Sequence, residues 1–170
     1  MKEIELKFEI KDARAIKSKI KNIGAKYKGK YQQVDLWFDT KDGRLRREGK
    51  GLRIRQENEK AILTLKTELV CDRVREAEEL ELELSDFETA LGIFKKLGFK
   101  ICSEIRKERR DWKLGNLKVS LDKVEGLGIF LELEGSRREI EQVIKKLGLE
   151  SSQRITKHYM MLKEERENKR

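Results

Sequence analysis

Glu3-Ile4-Glu5-Leu6-Lys7-Phe8-Glu9 alternates without a break, with charge at every odd position and Ile4, Leu6 and Phe8 between. A strand sends successive side chains to opposite faces, so this stretch reads as β-structure with one apolar face and one that mixes both signs of charge. The same sorting recurs along the chain. Arg53 and Arg55 oppose Leu52 and Ile54, and Lys66 opposes Leu63 and Leu65. Glu79, Glu81 and Glu83 oppose Leu80, Leu82 and Leu84, while Lys118, Ser120 and Asp122 oppose Leu117, Val119 and Leu121. Glu132 and Glu134 oppose Ile129, Leu131 and Leu133. Alternation over 2–10, 30–39, 51–57, 60–67, 72–84, 100–113, 117–123 and 128–134 gives about eight strands. Their short links, among them turns at Asn58-Glu59 and Gly115-Asn116, favour antiparallel pairing.

Three times a Glu-x-Glu strand runs into a polar cap, an amphipathic helix and a glycine. The first unit has Asp12, then Ile16, Ile20 and Ile23 on one face, then Gly24. The second has Asp86, then Ala90, Leu91, Phe94 and Leu97, then Gly98. The third has Ser136, then Ile140, Val143, Ile144 and Leu147, then Gly148. Asp or Ser satisfies the free amides at each start, and glycine takes the left-handed conformation after each end. A last helix is expected from Thr156. No linker interrupts the pattern, so residues 1–170 read as one α+β domain.

The composition excludes several classes. With 43% charged and 37% hydrophobic residues in periodic order, the chain has a core to bury and global disorder is excluded. No apolar run approaches the ~20 residues of a membrane helix. Cys71 and Cys102 are too few for a disulfide framework and lack metal-site spacing, so both read as buried or half-buried thiols. A cytoplasmic protein is expected. Lys and Arg number 41 against 32 Asp and Glu, a net charge of +9 that calls for a polyanionic partner.

A sheet with helices on one face and water on the other would account for the alternation. It would not account for one strand face being acidic and another basic. Closing the strands into a barrel, charged face inward and apolar face under the helices, does so. Like charges crowded in a lumen repel unless ligands neutralise them. The carboxylates then call for a hard cation, Mg²⁺ or Mn²⁺, and the Lys and Arg for a polyanion. A metal-bound triphosphate supplies both.

Glu3-Ile4-Glu5-Leu6-Lys7 resembles the ExExK signature of the CYTH, or triphosphate tunnel metalloenzyme, superfamily. Supporting segments follow in order across nearly the whole chain: Gln33 to Asp39, Leu52 to Arg55, Thr64-Leu65-Lys66, Lys107-Glu108-Arg109, Ser120-Leu121-Asp122, Glu132-Leu133-Glu134 and Lys157-His158-Tyr159. The resemblance implies a closed eight-stranded antiparallel barrel around a tunnel. It implies divalent-metal ligands at Glu3, Glu5, Asp122, Glu132 and Glu134. It implies triphosphate-binding cations at Lys7, Arg53, Arg55, Lys66, Lys107, Arg109 and Lys157, with Glu3, Glu5 and Lys7 carrying the catalysis. Glu79 or Glu81 stands near another acidic position of the family, and Arg73 and Arg75 are further candidates for the lining. The subgroup most resembled is the CyaB-type (class IV) adenylyl cyclases, which make cyclic AMP and pyrophosphate from ATP. The alternatives are a triphosphatase acting on inorganic, thiamine or nucleoside triphosphate, and a non-catalytic polyphosphate or RNA binder. Nucleic acid is disfavoured because paired carboxylates repel a phosphate backbone, and a homodimer is left open. His158, the one histidine, reads as a helix-surface or packing residue, and Trp37 and Trp112 as packing. Arg44-Leu45-Arg46-Arg47 reads as a solvated loop, and neither nucleotide-loop signature is present.

Overall fold

The alternating segments fold as β1 (Lys2–Glu9), β2 (Lys26–Asp39), β3 (Lys50–Glu57), β4 (Lys60–Leu69), β5 (Arg75–Leu84), β6 (Lys100–Leu114), β7 (Leu117–Val124) and β8 (Gly128–Glu134). This computed structural model describes residues 2–69 and 75–168, with side chains for 4–67 and 78–168. Every pairing is antiparallel, in the order β1-β5-β4-β3-β2-β6-β7-β8, and β8 pairs back onto β1 from Glu5↔Glu134 to Glu9↔Phe130. Each strand therefore has a neighbour on both sides, and the sheet curls around its charged face. The β1–β5 seam is the shortest pairing, running from Lys2↔Glu78 to Glu5↔Arg75.

Five helices accompany the sheet: α1 (Ala13–Asn22), α2 (Arg44–Arg47), α3 (Phe87–Lys96), α4 (Arg137–Leu147) and α5 (Tyr159–Glu167). The caps are those the sequence calls for. The Asp12 carboxylate accepts from the Arg14 and Ala15 amides, Asp86 from that of Thr89, and Ser136 forms a reciprocal box with Glu139. Gly24, Gly98 and Gly148 follow with φ of +85°, +87° and +68°, a region costly for any residue with a Cβ. Ile16 and Ile20 of α1 and Ile140, Ile144 and Leu147 of α4 bury against Leu6, Phe8, Val119, Leu131 and Leu133 on the outer face of the sheet. Each such side chain contributes about 1.5–3 kcal/mol. Ala90 of α3 and Leu45 of α2 cover Leu36, Phe38, Leu52 and Ile54. A third cluster joins Trp37, Ile105, Phe130 and Tyr159, and fixes α5 against one end.

Four local expectations need correction. β2 starts at Lys26 rather than near residue 30, because Tyr27 packs edge-on against Trp112 at 5.4 Å. Residues 44–47 are a helical turn rather than a solvated loop, since the Asp39 carboxylate accepts from the Leu45 and Arg46 amides at 2.9 and 3.2 Å. The last helix begins at Tyr159, not Thr156, because Ile155 is held extended by backbone bonds in both directions with Lys7. Cys102 is exposed rather than buried or half-buried. Cys71 and Arg73 lie outside the described residues. The helices also leave Leu80 and Leu82 of β5 uncovered on the outer face, 64% and 61% exposed. Among the described residues no helix is long and apolar enough to cross a membrane.

Candidate active site

The inward faces of the strands line a cavity of about 290 Å³. It brings together Glu5 and Lys7 from β1, Arg53 and Arg55 from β3, Lys66 from β4, Lys107 and Arg109 from β6, and Glu132 and Glu134 from β8. These are nine of the residues singled out from sequence, and strand alternation is what aims all of them the same way.

The cations are mostly buried and are held by carboxylates. Lys7, 2% exposed, reaches Glu5 at 2.7 Å and Glu132 at 3.0 Å. Arg109 grips Asp122 through Nε and Nη2 at 2.7 and 2.6 Å, and also bonds Glu132. Arg55 holds Asp35 in the same two-pronged way, at 2.6 and 2.8 Å. Arg53 lies 3.7 Å from Asp35, donates to the Thr64 hydroxyl at 3.1 Å and stacks over Trp37 at 5.6 Å. Lys66 pairs with Glu79. Lys107 is 3.1 Å from Asp122 and 4.0 Å from Asp35. Burial alone would push the Asp35 carboxyl up, but Arg55 and Arg53 outweigh it and hold it well below the usual carboxylate range. Burial likewise opposes the charge on Glu132, and Lys7 and Arg109 overcome it. For Lys107 burial wins: with Arg109 adding to it, the ammonium is brought down to about 8.

Glu5 and Glu134 are direct cross-strand partners, and both line the cavity. Like charges directly opposite each other weaken a sheet unless a cation sits between them. Lys118 approaches Glu134 at 3.5 Å. Glu3 stands two places before Glu5 on the same strand, opposite Ala77; its side chain is outside the described set. Among the described residues no three histidine, cysteine or carboxylate side chains are close enough to hold a metal on their own.

Two expected members stand elsewhere. Asp122 is fully buried behind the wall, with its oxygens taken by Arg109, Lys107 and the Tyr159 hydroxyl, so it braces cations rather than facing the cavity as a metal ligand. Lys157 lies outside the cavity, half-exposed and paired with Glu165. It precedes α5 in a loop, where strand alternation has no authority over side-chain direction. Arg75 sits on β5 opposite Glu5, its side chain undescribed.

Comparison with known proteins agrees with this geometry. The CYTH domain family matches residues 1–165. A Methanocaldococcus jannaschii protein named as a proposed adenylate cyclase is 35% identical, covering 96% of this chain and 99% of its own. The chain belongs to the CYTH family. The adenylate cyclase CyaB of Aeromonas hydrophila is 30% identical to this CYTH chain, over 79% of this chain and 73% of its own. Among solved structures, the PH1012 protein of Pyrococcus horikoshii superposes with a TM-score of 0.83 at 35% identity, over 94% of this chain and 98% of its own. HpAC1 of Hippeastrum, a proposed adenylyl cyclase that reveals a dominant triphosphatase activity, shares the fold at a TM-score of 0.63 and 22% identity, over 87% of this chain and 88% of its own.

Sequence reasoning passed over several residues of this CYTH site. Asp35 is the buried anchor of three cations, and alternation with Gln33 and Trp37 could have placed it inward. Tyr159 inserts its ring between Lys7 and Lys107, with centroids 5.1 and 5.0 Å away, and donates to Asp122 at 3.0 Å. His158 packs edge-on against Trp37 at 5.3 Å, as a packing residue should, yet it also lines the cavity.

Proposed function

We propose that this CYTH protein is a divalent-metal-dependent enzyme acting on a triphosphate bound in the charged interior of the barrel. One observation carries the reading: among the described residues the cavity lining holds seven cations and eight carboxylates. Such a wall offers phosphate oxygens strong partners, including arginines suited to two-pronged binding. It also offers no net positive charge, so a bare polyanion is poorly matched and needs cations to come with it.

The directly opposed Glu5 and Glu134 fit that need. They supply hard oxygen donors, and with Glu3 on the same strand they would hold Mg²⁺ or Mn²⁺. A bound divalent ion there would neutralise phosphate charge and orient the reacting phosphoryl group. The chain's own part is to grip: Arg53, Arg55, Lys66, Lys107 and Arg109 surround the phosphates from three strands, and Lys7 bridges to the acidic side. Alignment and charge stabilisation are what phosphoryl chemistry mostly requires.

The names of the relatives support conversion of ATP to cyclic AMP and pyrophosphate. In that reaction the ribose 3′-oxygen bonds to the α-phosphorus as pyrophosphate leaves, and the hydroxyl proton passes to a base. Hydrolysis of a terminal phosphate is the second reading, favoured by a cavity whose one aliphatic lining residue among those described is Ile62. The deciding experiment supplies ATP, thiamine triphosphate and tripolyphosphate in turn with Mg²⁺ or Mn²⁺ and resolves cyclic AMP, pyrophosphate and orthophosphate. Cyclic AMP from ATP supports the cyclase, and orthophosphate from tripolyphosphate the hydrolase. No turnover of any of the three would refute the enzyme.

A further inference from the structure

The nearly balanced cavity holds none of the +9 surplus, which is to be found elsewhere. Part of it stands in a single row. Lys26 on β2 is the register partner of Lys113 on β6, and Lys113 is the partner of Lys118 on β7. Lys113 shares a sheet face with Arg109 and Asp111, and Lys118 itself lines the cavity. Three ammonium groups thus carry the inner face of the barrel onward past the mouth of the cavity. Lys118 has Glu134 at 3.5 Å, but Lys26 and Lys113 are exposed and have no ion pair among the described residues. Like charges set directly opposite one another across strands destabilise a sheet. Among the described residues only Glu134, beside Lys118 at one end of the row, offsets that repulsion; an anion lying across Lys26 and Lys113 would offset the rest.

We propose that Lys26 and Lys113, with Lys118 at the rim of the triphosphate cavity, form a phosphate subsite that continues the cavity outward, and that the ligand spanning both is a linear inorganic polyphosphate longer than triphosphate. The inference rests on the triphosphate reading of the cavity. Chain length follows from spacing. Lys113 is four residues beyond Arg109 on β6, about 13 Å at about 3.3 Å per residue. A triphosphate gripped at Arg109 does not extend that far, whereas a longer chain does. Lysines suit such a ligand because a flexible point charge follows a chain that has no fixed register. A nucleic acid would also want a surface on which to stack its bases. The exposed aromatic at this end, Tyr27, packs against Trp112 on the opposite face of the sheet.

The test compares binding of tripolyphosphate, long-chain polyphosphate and single-stranded RNA to the full chain and to two double variants. One is Lys26→Gln with Lys113→Gln. The other, Lys95→Gln with Lys96→Gln on exposed α3, removes the same charge far from the row. Wild type should bind long-chain polyphosphate more tightly than tripolyphosphate. Losing Lys26 and Lys113 should weaken the long chain roughly three- to tenfold, the scale of two exposed charge contacts. It should leave tripolyphosphate unchanged, while the α3 variant alters neither. The unfolding midpoint of the row variant should not fall, since the change relieves repulsion. Equal weakening in both variants would reduce the row to general surface charge, and no weakening in either would remove it. RNA binding as tight as polyphosphate, lost by the same factor, would make this a nucleic-acid surface instead. If wild type fails to bind tripolyphosphate, the cavity reading falls, while a loss of long-chain affinity at Lys26 and Lys113 would still mark the row as a phosphate site.

Discussion

Asp35 lies 2% exposed among Arg53, Arg55 and Lys107, cations supplied by two different strands. Removing one partner of a buried ion pair leaves the others uncompensated, at a cost of about 3–5 kcal/mol. Asp35→Asn should therefore lower stability by about that much in denaturant unfolding. Because tripolyphosphate brings negative charge to the same cations, it should raise the unfolding midpoint of the variant more than that of wild type. An unchanged midpoint without ligand would show that the cations find other partners. Lys107 makes a second prediction. Its ammonium is brought from 10.5 down to about 8, by burial first and Arg109 second, against the pull of Asp122 and Asp35 and with Arg55 adding repulsion. Between those two values the unfolded chain holds a proton that the folded one has released, so this residue makes stability rise with pH across that window. Phosphate binding runs the other way, since it needs the charged form: tripolyphosphate affinity should fall above about pH 8. Calorimetry in two buffers should detect proton uptake on binding there, and Lys107→Arg should abolish both effects. These properties were only half legible in the sequence. Alternation aims Asp35 and Lys107 inward, but Asp35 meets Arg55 because register makes them direct partners, and register between distant strands is not written in either strand.

At the scale of elements, α5 is what completes the cation set. Tyr159, its first residue, takes Lys7 and Lys107 against its ring and anchors Asp122 through its hydroxyl. Arg46 of α2 clasps Glu164 through two bonds, and Lys163 reaches the Glu104 carbonyl at 3.0 Å. Tyr159→Phe should keep the ring contacts and lose about 1.5–3 kcal/mol for a hydrogen bond to a charged group. Tyr159→Leu should lose the ring contacts as well, each worth up to about 2 kcal/mol when desolvated. Denaturant unfolding together with tripolyphosphate binding separates the two. Affinity should drop further in the Leu variant than in the Phe variant, and equal affinities would show that α5 supports the fold without shaping the site. The strands and capped helices were readable because period and caps are local. The position of α5 was not, because the chain before it is held by Ile155 pairing with Lys7, a contact nearly the whole length of the chain away. Lys157, expected in the site from the family resemblance alone, lies outside the cavity in a loop, where no two-residue period gives direction.

At the scale of the whole molecule, the charge of the cavity sets a paradox that a bound divalent metal would resolve. Eight carboxylates face the same space as seven cations, and most of them both brace a cation and repel an incoming phosphate. Glu5 and Glu134 oppose each other across the β1–β8 pairing, with Lys7 and Lys118 as their neighbours. Replacing both with Gln removes two negative charges while keeping shape and hydrogen-bonding capacity. If these carboxylates serve only the fold, the variant should bind and react much as before. If they hold a divalent ion, two effects of opposite sign should appear together. With a chelator present, the double variant should bind tripolyphosphate more tightly than wild type, because two repulsive charges are gone. With Mg²⁺ or Mn²⁺ present, wild type should gain affinity and the variant should not, and turnover should fall at least about a hundredfold, since charge stabilisation by a metal is worth several kcal/mol. Isothermal titration in the two conditions, alongside the turnover assay, reads both signs in one protein. Metal-stimulated turnover surviving in the double variant would remove Glu5 and Glu134 from the metal site. A loss of turnover without the gain in metal-free binding would point to damage of the fold rather than to loss of an ion.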